Sequence, residues 1–169
     1  MDTFIEILVK KQKQPKDVLK TVGIILLAMI LIFAVSIFVA PFVPGVSPLI
    51  MIAIIIGAGY LITNSKIEYE YVLTNGEIDI DKIVAQRKRT RVVTFDCKRI
   101  TEFGKYSNKI DPKNFKTVID ASENSKNDDT YFAVVDHTKF GRTLILFTPG
   151  EILLEKMKPY LPRIMQGNI

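Results

Sequence analysis

Hydrophobic positions along this chain follow three different rules. From 21 to 63 they run on without a period, and no charged residue interrupts them. Residues 21–40 (TVGIILLAMILIFAVSIFVA) would form a helix of about 30 Å, the thickness of a bilayer's hydrocarbon core. Residues 48–63 (PLIMIAIIIGAGYLIT) are shorter, about 24 Å as a helix, with Asn64 and Ser65 extending them toward the interface. Between the two, Pro41, Pro44, Gly45 and Pro48 break any helix, and Ser47-Pro48 is a good start for the second. The block predicts a transmembrane helical hairpin over 21–65. A hairpin that dips in without crossing is the alternative, because the second span is short. A core hairpin of a soluble protein is disfavoured, since 66–169 is too small to cover two apolar helices on every side.

Beyond Lys66 the period becomes two. Ile67, Tyr69, Tyr71 and Leu73 alternate with Glu68 and Glu70, which is a strand with one buried face. Asn75-Gly76 follows as a hairpin signal, then Ile78 and Ile80 between Asp79 and Asp81. The phase slips near Lys82-Ile83, predicting a bulge or strand end. Residues 85–90 (AQRKRT) read as a turn, and 92–103 as one bent strand or two short ones. A strand ending near Ser122, a polar loop at 123–129, and a hairpin of 131–135 with 143–147 complete the pattern. At Thr148-Pro149-Gly150-Glu151 a helix begins, with Thr148 as cap and Phe147 and Ile152 placed as a staple. Its apolar face is Ile152, Leu153, Met157, Tyr160, Leu161 and Ile164, and Pro159 stops it near Lys158. Six or seven antiparallel strands and one helix predict an α+β domain over 66–169: a small antiparallel β-barrel or curled sheet, or else a small sandwich.

The third rule governs the N-terminal arm, 1–20. Thr3 to Glu6 has the form of a capping box, and Phe4, Ile5, Leu8 and Val9 fall on one helical face ahead of Lys10, Lys11 and Lys13. This predicts a short amphipathic helix in the membrane interface, or one packed on the soluble domain.

Charge adds orientation. Lys10, Lys11, Lys13, Lys16 and Lys20 precede the first span, while Lys66, Lys82, Arg87, Lys88, Arg89 and Arg91 follow the second. The connecting loop has no cation, so both termini are expected to be cytoplasmic and the protein multi-pass in the plasma membrane. Ser36 and Ala40, and Ala53 and Gly57, recur at four-residue spacing and are expected to let the two helices pack closely, or else to serve a partner's helix or a homodimer. The uncharged spans argue against an ion pathway.

Glu70-Tyr71-Val72-Leu73-Thr74-Asn75-Gly76, followed by residues 78–91, resembles an uncharacterised family of small two-span bacterial membrane proteins, chiefly Gram-positive, over nearly the whole chain. The same strand end, hairpin and basic segment are similar to those of bacterial membrane proteins with pleckstrin-homology-like (PH-like) domains, from Lys66 to about Met165. The resemblance implies a seven-strand barrel with a C-terminal helix. The first hairpin, Thr74-Asn75-Gly76-Glu77, lacks the basic residues that phosphoinositide-binding pleckstrin domains place there.

Catalytic chemistry is sparse. One cysteine and one histidine exclude a disulfide scaffold and a Cys/His metal cluster. Cys97 is in phase with Val93 and Phe95 and is expected to be a buried thiol, while Asp79 and Asp81 are expected to form an exposed polar face. Arg87, Lys88, Arg89 and Arg91 are the sharpest feature, with Lys10, Lys11 and Lys13 as further cations. They suit anionic lipid head groups or a protein partner, or simply a solvated turn guarding a strand edge. No aromatic interleaves the run, so nucleic acid is not expected. No cofactor is expected either. The function expected is a non-enzymatic, membrane-anchored interaction module. An accessory subunit of a larger membrane complex, such as a transporter, is the alternative, and a lipid-directed membrane enzyme comes third.

Overall fold

The computed structural model describes residues 3–107, 110–125 and 127–168. Two predicted polar segments, the connection after Gly104 and the loop 123–129, therefore fall partly outside the described residues, at 108–109 and 126. The chain forms two compact units: Lys13–Lys66, and Met1–Gln12 together with Ile67–Ile169.

The first unit holds helices α1 (Pro15–Phe38) and α2 (Ser47–Thr63). α1 begins before the uncharged block because its start is well capped. Gln14 and Asp17 form a reciprocal capping box, with Gln14 N–H donating to Asp17 Oδ2 at 3.0 Å, and Pro15 fits the first turn. At 24 residues it spans about 36 Å. α2, with 17 residues, spans about 25 Å. Ser47 opens it, its hydroxyl donating to Pro44 O at 3.2 Å. No residue of α1 is buried, and Ser47 is the one buried residue of α2. The two helices are in contact, and their half-covered positions include Thr21, Ile24, Ala28, Ile32 and Val35 on α1 and Ile50, Ile54, Ala58 and Ile62 on α2.

The second unit contains two four-stranded sheets. One has the order β1-β2-β3-β4: Phe4–Lys10, Ile67–Thr74, Glu77–Val84 and Lys88–Asp96, all antiparallel. The other has the order β5-β7-β8-β6: Ile100–Lys105, Tyr131–His137, Gly141–Phe147 and Thr117–Asp120. Its β6 runs parallel to β8, a departure from the all-antiparallel expectation. Among the described residues neither sheet closes, so the expected barrel is corrected to two open sheets sharing a core. The reason is local: at Cys97–Arg99 the chain makes a 3-10 turn, capped by Asp96 accepting from Lys98 N–H at 2.9 Å, and β5 joins the other sheet instead of β4.

The N-terminal arm is likewise corrected. Phe4–Lys10 is a strand, because Ile5, Ile7 and Val9 alternate and face the core while Phe4, Glu6, Leu8 and Lys10 face out. Period two competes with the helical stripe there, and pairing with β2 decides it.

Between the sheets lie Tyr71, Leu73, Ile78, Ile80, Val93 and Phe95 from one side and Phe103, Ala133, Val135, Ile145 and Phe147 from the other. Burying each large apolar side chain is worth about 1.5–3 kcal/mol. Phe147 packs edge-on to Tyr71, with ring centroids 6.0 Å apart. Tyr71 Oη donates to Ala121 O at 2.6 Å and accepts from Thr148 N–H at 3.2 Å, so its buried hydroxyl is satisfied.

Helix α3 (Gly150–Met157) adds Leu153, Leu154 and Met157 to the core. The predicted cap is not made: Thr148 Oγ1 accepts from Glu123 N–H at 3.1 Å instead, and Ile152 and Ile164 are exposed. Pro159 acts as expected, the α-helix ending at Met157 and giving way to 3-10 turns at Lys158–Tyr160 and Arg163–Asn168.

Candidate functional site

The outer face of the β1–β4 sheet carries the chain's main charge cluster. Glu68 and Glu70 on β2, Asp79 and Asp81 on β3, and Arg89 and Arg91 on β4 are three i, i+2 pairs on consecutive strands, so each pair projects to one face. Glu70 stands directly opposite Asp81. Two like charges in register repel, and both residues are buried, Glu70 3 % and Asp81 4 % exposed. Arginines from the next strand neutralise them. Arg89 pairs with Glu70 and lies 3.8 Å from Asp81, while Arg91 pairs with both Asp81 and Asp79. Thr94 links the set, accepting from Arg91 at 3.1 Å and donating to Asp79 Oδ1 at 2.6 Å.

A bulge makes this possible. The β3–β4 register shifts between Ile80 and Asp81: Ile80 faces Val93, yet Asp81 faces Arg91. Val92 is the extra residue, and skipping it brings Arg91 onto the acidic face. The expected phase slip near Lys82-Ile83 therefore exists one to two residues earlier. The carboxylates beside Arg91, first Asp81 and then Asp79, hold its guanidinium pKa above the ordinary value.

The predicted contact residues are thus divided. Arg89 and Arg91 spend their charge within the sheet, and Asp79 and Asp81 are their partners rather than an idle polar face. Arg87 closes the β3–β4 turn, where Ala85 and Gln86 take positive φ of 54° and 57°, and its N–H donates to Val84 O at 3.1 Å. Lys88 opens β4 opposite Val84. Among the described residues neither Arg87 nor Lys88 has an ion-pair partner. Lys10 faces Glu68 across β1–β2, and Lys11 Nζ sits 5.8 Å from the centre of the Tyr69 ring. Lys13 is exposed at the start of the helical unit.

Of the predicted helix-packing residues, Ser36 turns its hydroxyl back to Ile32 O at 3.0 Å and is exposed. Ala40 lies past the end of α1, and Ala53 and Gly57 are exposed on α2. A methyl group placed on Gly57 would meet nothing within 4 Å. Ala28 on α1 and Ala58 on α2 are among the half-covered positions of the two helices.

A concavity of about 600 Å³ lies at the Asn75-Gly76 end of the unit, with Asn75, Glu77, Asp96, Lys98, Arg99 and His137 among its lining residues. Its charges are mixed and close to balanced. His137 Nδ1 accepts from the N–H groups of Lys139 and Phe140, at 3.1 and 3.3 Å, and its ring stacks on Phe140. Cys97 is fully buried, and burial pushes its thiol up to about 12, with Asp96 adding to the shift. Such a thiol is not a ready nucleophile. Among the described residues no three His, Cys, Asp or Glu side chains gather as metal ligands.

The fold and these sites can be set beside known proteins. The sequence model of a family described as bacterial PH-like domain (DUF6106) matches residues 1–166. The chain belongs to this family. No curated protein and no solved structure matches it. The PH-like match runs through β1, the helical unit and both sheets. A PH-like fold is compatible with an interaction module but assigns no ligand. By length and composition α1 is able to cross a membrane, with a mean hydropathy of 2.9 and none of its most apolar stretch buried, whereas α2 is shorter.

Proposed function

We propose that this PH-like protein is a non-enzymatic interaction module held at the cytoplasmic face of a bacterial plasma membrane by residues 13–66, which cross it twice. One observation carries the reading. The chain leaves the β unit after Gln12 and re-enters it at Ile67, and these points are strand neighbours: Lys10 faces Glu68, and Lys11 N–H donates to Ile67 O at 3.1 Å. Paired strands lie about 4.8 Å apart. A single crossing would separate the two points by about 30 Å of hydrocarbon and break the pairing. An apolar segment between them returns to the side from which it left. The lysines at 10, 11, 13, 16, 20 and 66 and the cation-free connection at 41–47 make that side cytoplasmic.

A protein surface is the better partner than lipid for the β1–β4 sheet. Arg89 and Arg91 would have to give up buried carboxylates to bind phosphate head groups, leaving Arg87 and Lys88 as the available cations. The second reading, an accessory subunit of a larger membrane complex, rests on the exposed Ala53–Gly57 side of α2. Mild-detergent purification that yields only the free chain counts against it.

Topology is tested with cysteines in the full chain, since buried Cys97 stays silent. Gly45→Cys should react with an impermeant maleimide on intact cells, and Glu151→Cys only after permeabilisation. Labelling of Glu151→Cys on intact cells, or of neither position's predicted side, overturns the proposal.

A further inference from the structure

The four edge strands of the two sheets are treated differently. β4 carries Lys88, Arg89 and Arg91 and a bulge, β5 has a register shift between Ile100 and Glu102, and β6 is only four residues long. Each is a standard way of discouraging a sheet from pairing with another chain. β1 is neither bulged nor short, and its two charges, Glu6 and Lys10, are of opposite sign. It is seven residues long, in regular register with β2 throughout, and rich in β-branched and apolar residues: Phe4-Ile5-Glu6-Ile7-Leu8-Val9-Lys10.

The direction of its free backbone groups follows from two hydrogen bonds. Asn75 N–H donates to Thr3 O at 3.0 Å and Lys11 N–H donates to Ile67 O, so Thr3 and Lys11 bond inward to β2. Antiparallel pairs alternate. The odd residues between them bond to β2, and Phe4, Glu6, Leu8 and Lys10 turn N–H and C=O to the open edge. Gln12 confirms the parity, because its N–H donates away from β2, to Glu123 O at 2.9 Å. That bond also ends the open edge at Lys10.

We propose that β1 pairs with β1 of a second copy, antiparallel about Leu8, joining two four-stranded sheets across a two-fold axis. Charge complementarity selects this partner and this register. With Leu8 opposite Leu8, Glu6 of each copy faces Lys10 of the other, giving two opposite-charge pairs around an apolar centre. Centring one turn of the pleat earlier sets Glu6 against Glu6, and centring on Ile7 sets Glu6 against Leu8 and Phe4 against Lys10. Phe4 and Leu8, 65 % and 50 % exposed on the outer face, lie beside the new seam and lose water there. The interface is isologous, as a two-fold requires. It does not depend on the membrane reading, since every residue in it belongs to the β unit.

Oxidative cross-linking of the full-length protein in native membranes tests it. In an antiparallel bonded pair the Cα atoms are about 5.5 Å apart, within disulfide range. Leu8→Cys should form a covalent dimer of twice the chain mass, while Ile152→Cys, on α3 and more exposed than Leu8, should not. In co-expressed, differently tagged chains, Glu6→Cys should cross-link to Lys10→Cys, and neither to itself. Glu6→Lys should weaken dimerisation about tenfold, from two repulsive pairs replacing two attractive ones, and adding Lys10→Glu should restore it. Unchanged thermal melting of these surface variants separates loss of pairing from misfolding. Equal cross-linking at 8 and 152, an adduct of any other mass, or failure of the charge swap to rescue overturns the proposal.

Discussion

The helical unit and the β unit use hydrophobic residues in opposite ways. In Lys13–Lys66 nearly every residue is apolar and nearly all stay uncovered: Ile30, Phe33 and Phe38 are 64 %, 68 % and 72 % exposed. In the β unit apolar residues are fewer and sorted by position, so Leu73, Ile78, Ile80 and Phe147 reach 0 %. Water-soluble surfaces rarely expose apolar side chains over that area, whereas the second arrangement is what water itself produces. Composition and burial are therefore separate signals, and in the helical unit they disagree.

Substitutions in the two units should differ in size and in cause. Phe147→Ala should cost the β unit about 3–5 kcal/mol, from lost burial and a cavity beside Tyr71 and Phe95. Denaturant unfolding in detergent measures it, and a loss under 1 kcal/mol would mean the two sheets do not share this core. Ile30→Arg on α1 should cost about 2.5–3.5 kcal/mol of insertion, if lipid is the solvent. A surface position in water would tolerate it within about 0.5 kcal/mol. Carbonate-resistant membrane association reads the choice directly.

Within the β unit, Arg89→Ala should destabilise by about 1–3 kcal/mol, because Glu70 is then left buried without its guanidinium. Arg87→Ala, a few residues away, should stay within about 0.5 kcal/mol. Equal effects would return the basic segment to a uniform solvated turn. Gly76→Ala should cost about 1–2 kcal/mol, since Gly76 has φ of +94° and an added Cβ would stand 2.6 Å from Tyr160 Cδ1. Cys97 makes the smallest difference at neutral pH. Its folded value is raised above the ordinary 9.0 to about 12, so its contribution is intact below 9 and drains as pH rises from 9 toward 12. Thiol reagents at pH 8 should label it only after unfolding. Labelling of the native protein would place Cys97 outside the core.

The strands after Lys66 and the Asn75-Gly76 hairpin were legible because their evidence is local: alternation over neighbouring residues, and a turn that only certain residues adopt. The sheet's charge network was half legible. Glu68/Glu70, Asp79/Asp81 and Arg89/Arg91 stand out as repeated pairs at spacing two, but their pairing depends on a bulge that the phase slip near Lys82-Ile83 announces without placing it at Val92 on the facing strand. The arm at 4–10 misled because seven residues satisfied both a helical stripe and an alternation, and only β2, some sixty residues on, distinguishes them.

By itself the sequence determined the uncharged block, its helical lengths, the strand and hairpin signals, and the buried state of Cys97, since each rests on neighbours along the chain. Tertiary structure alone decided that β1 completes the first sheet, that β6 runs parallel beside β8, that the sheets stay open, and that Arg89 and Arg91 neutralise Glu70, Asp79 and Asp81. Those outcomes come from contacts between residues far apart in the chain, where register and direction are set by which surfaces pack together, and no local pattern carries that information.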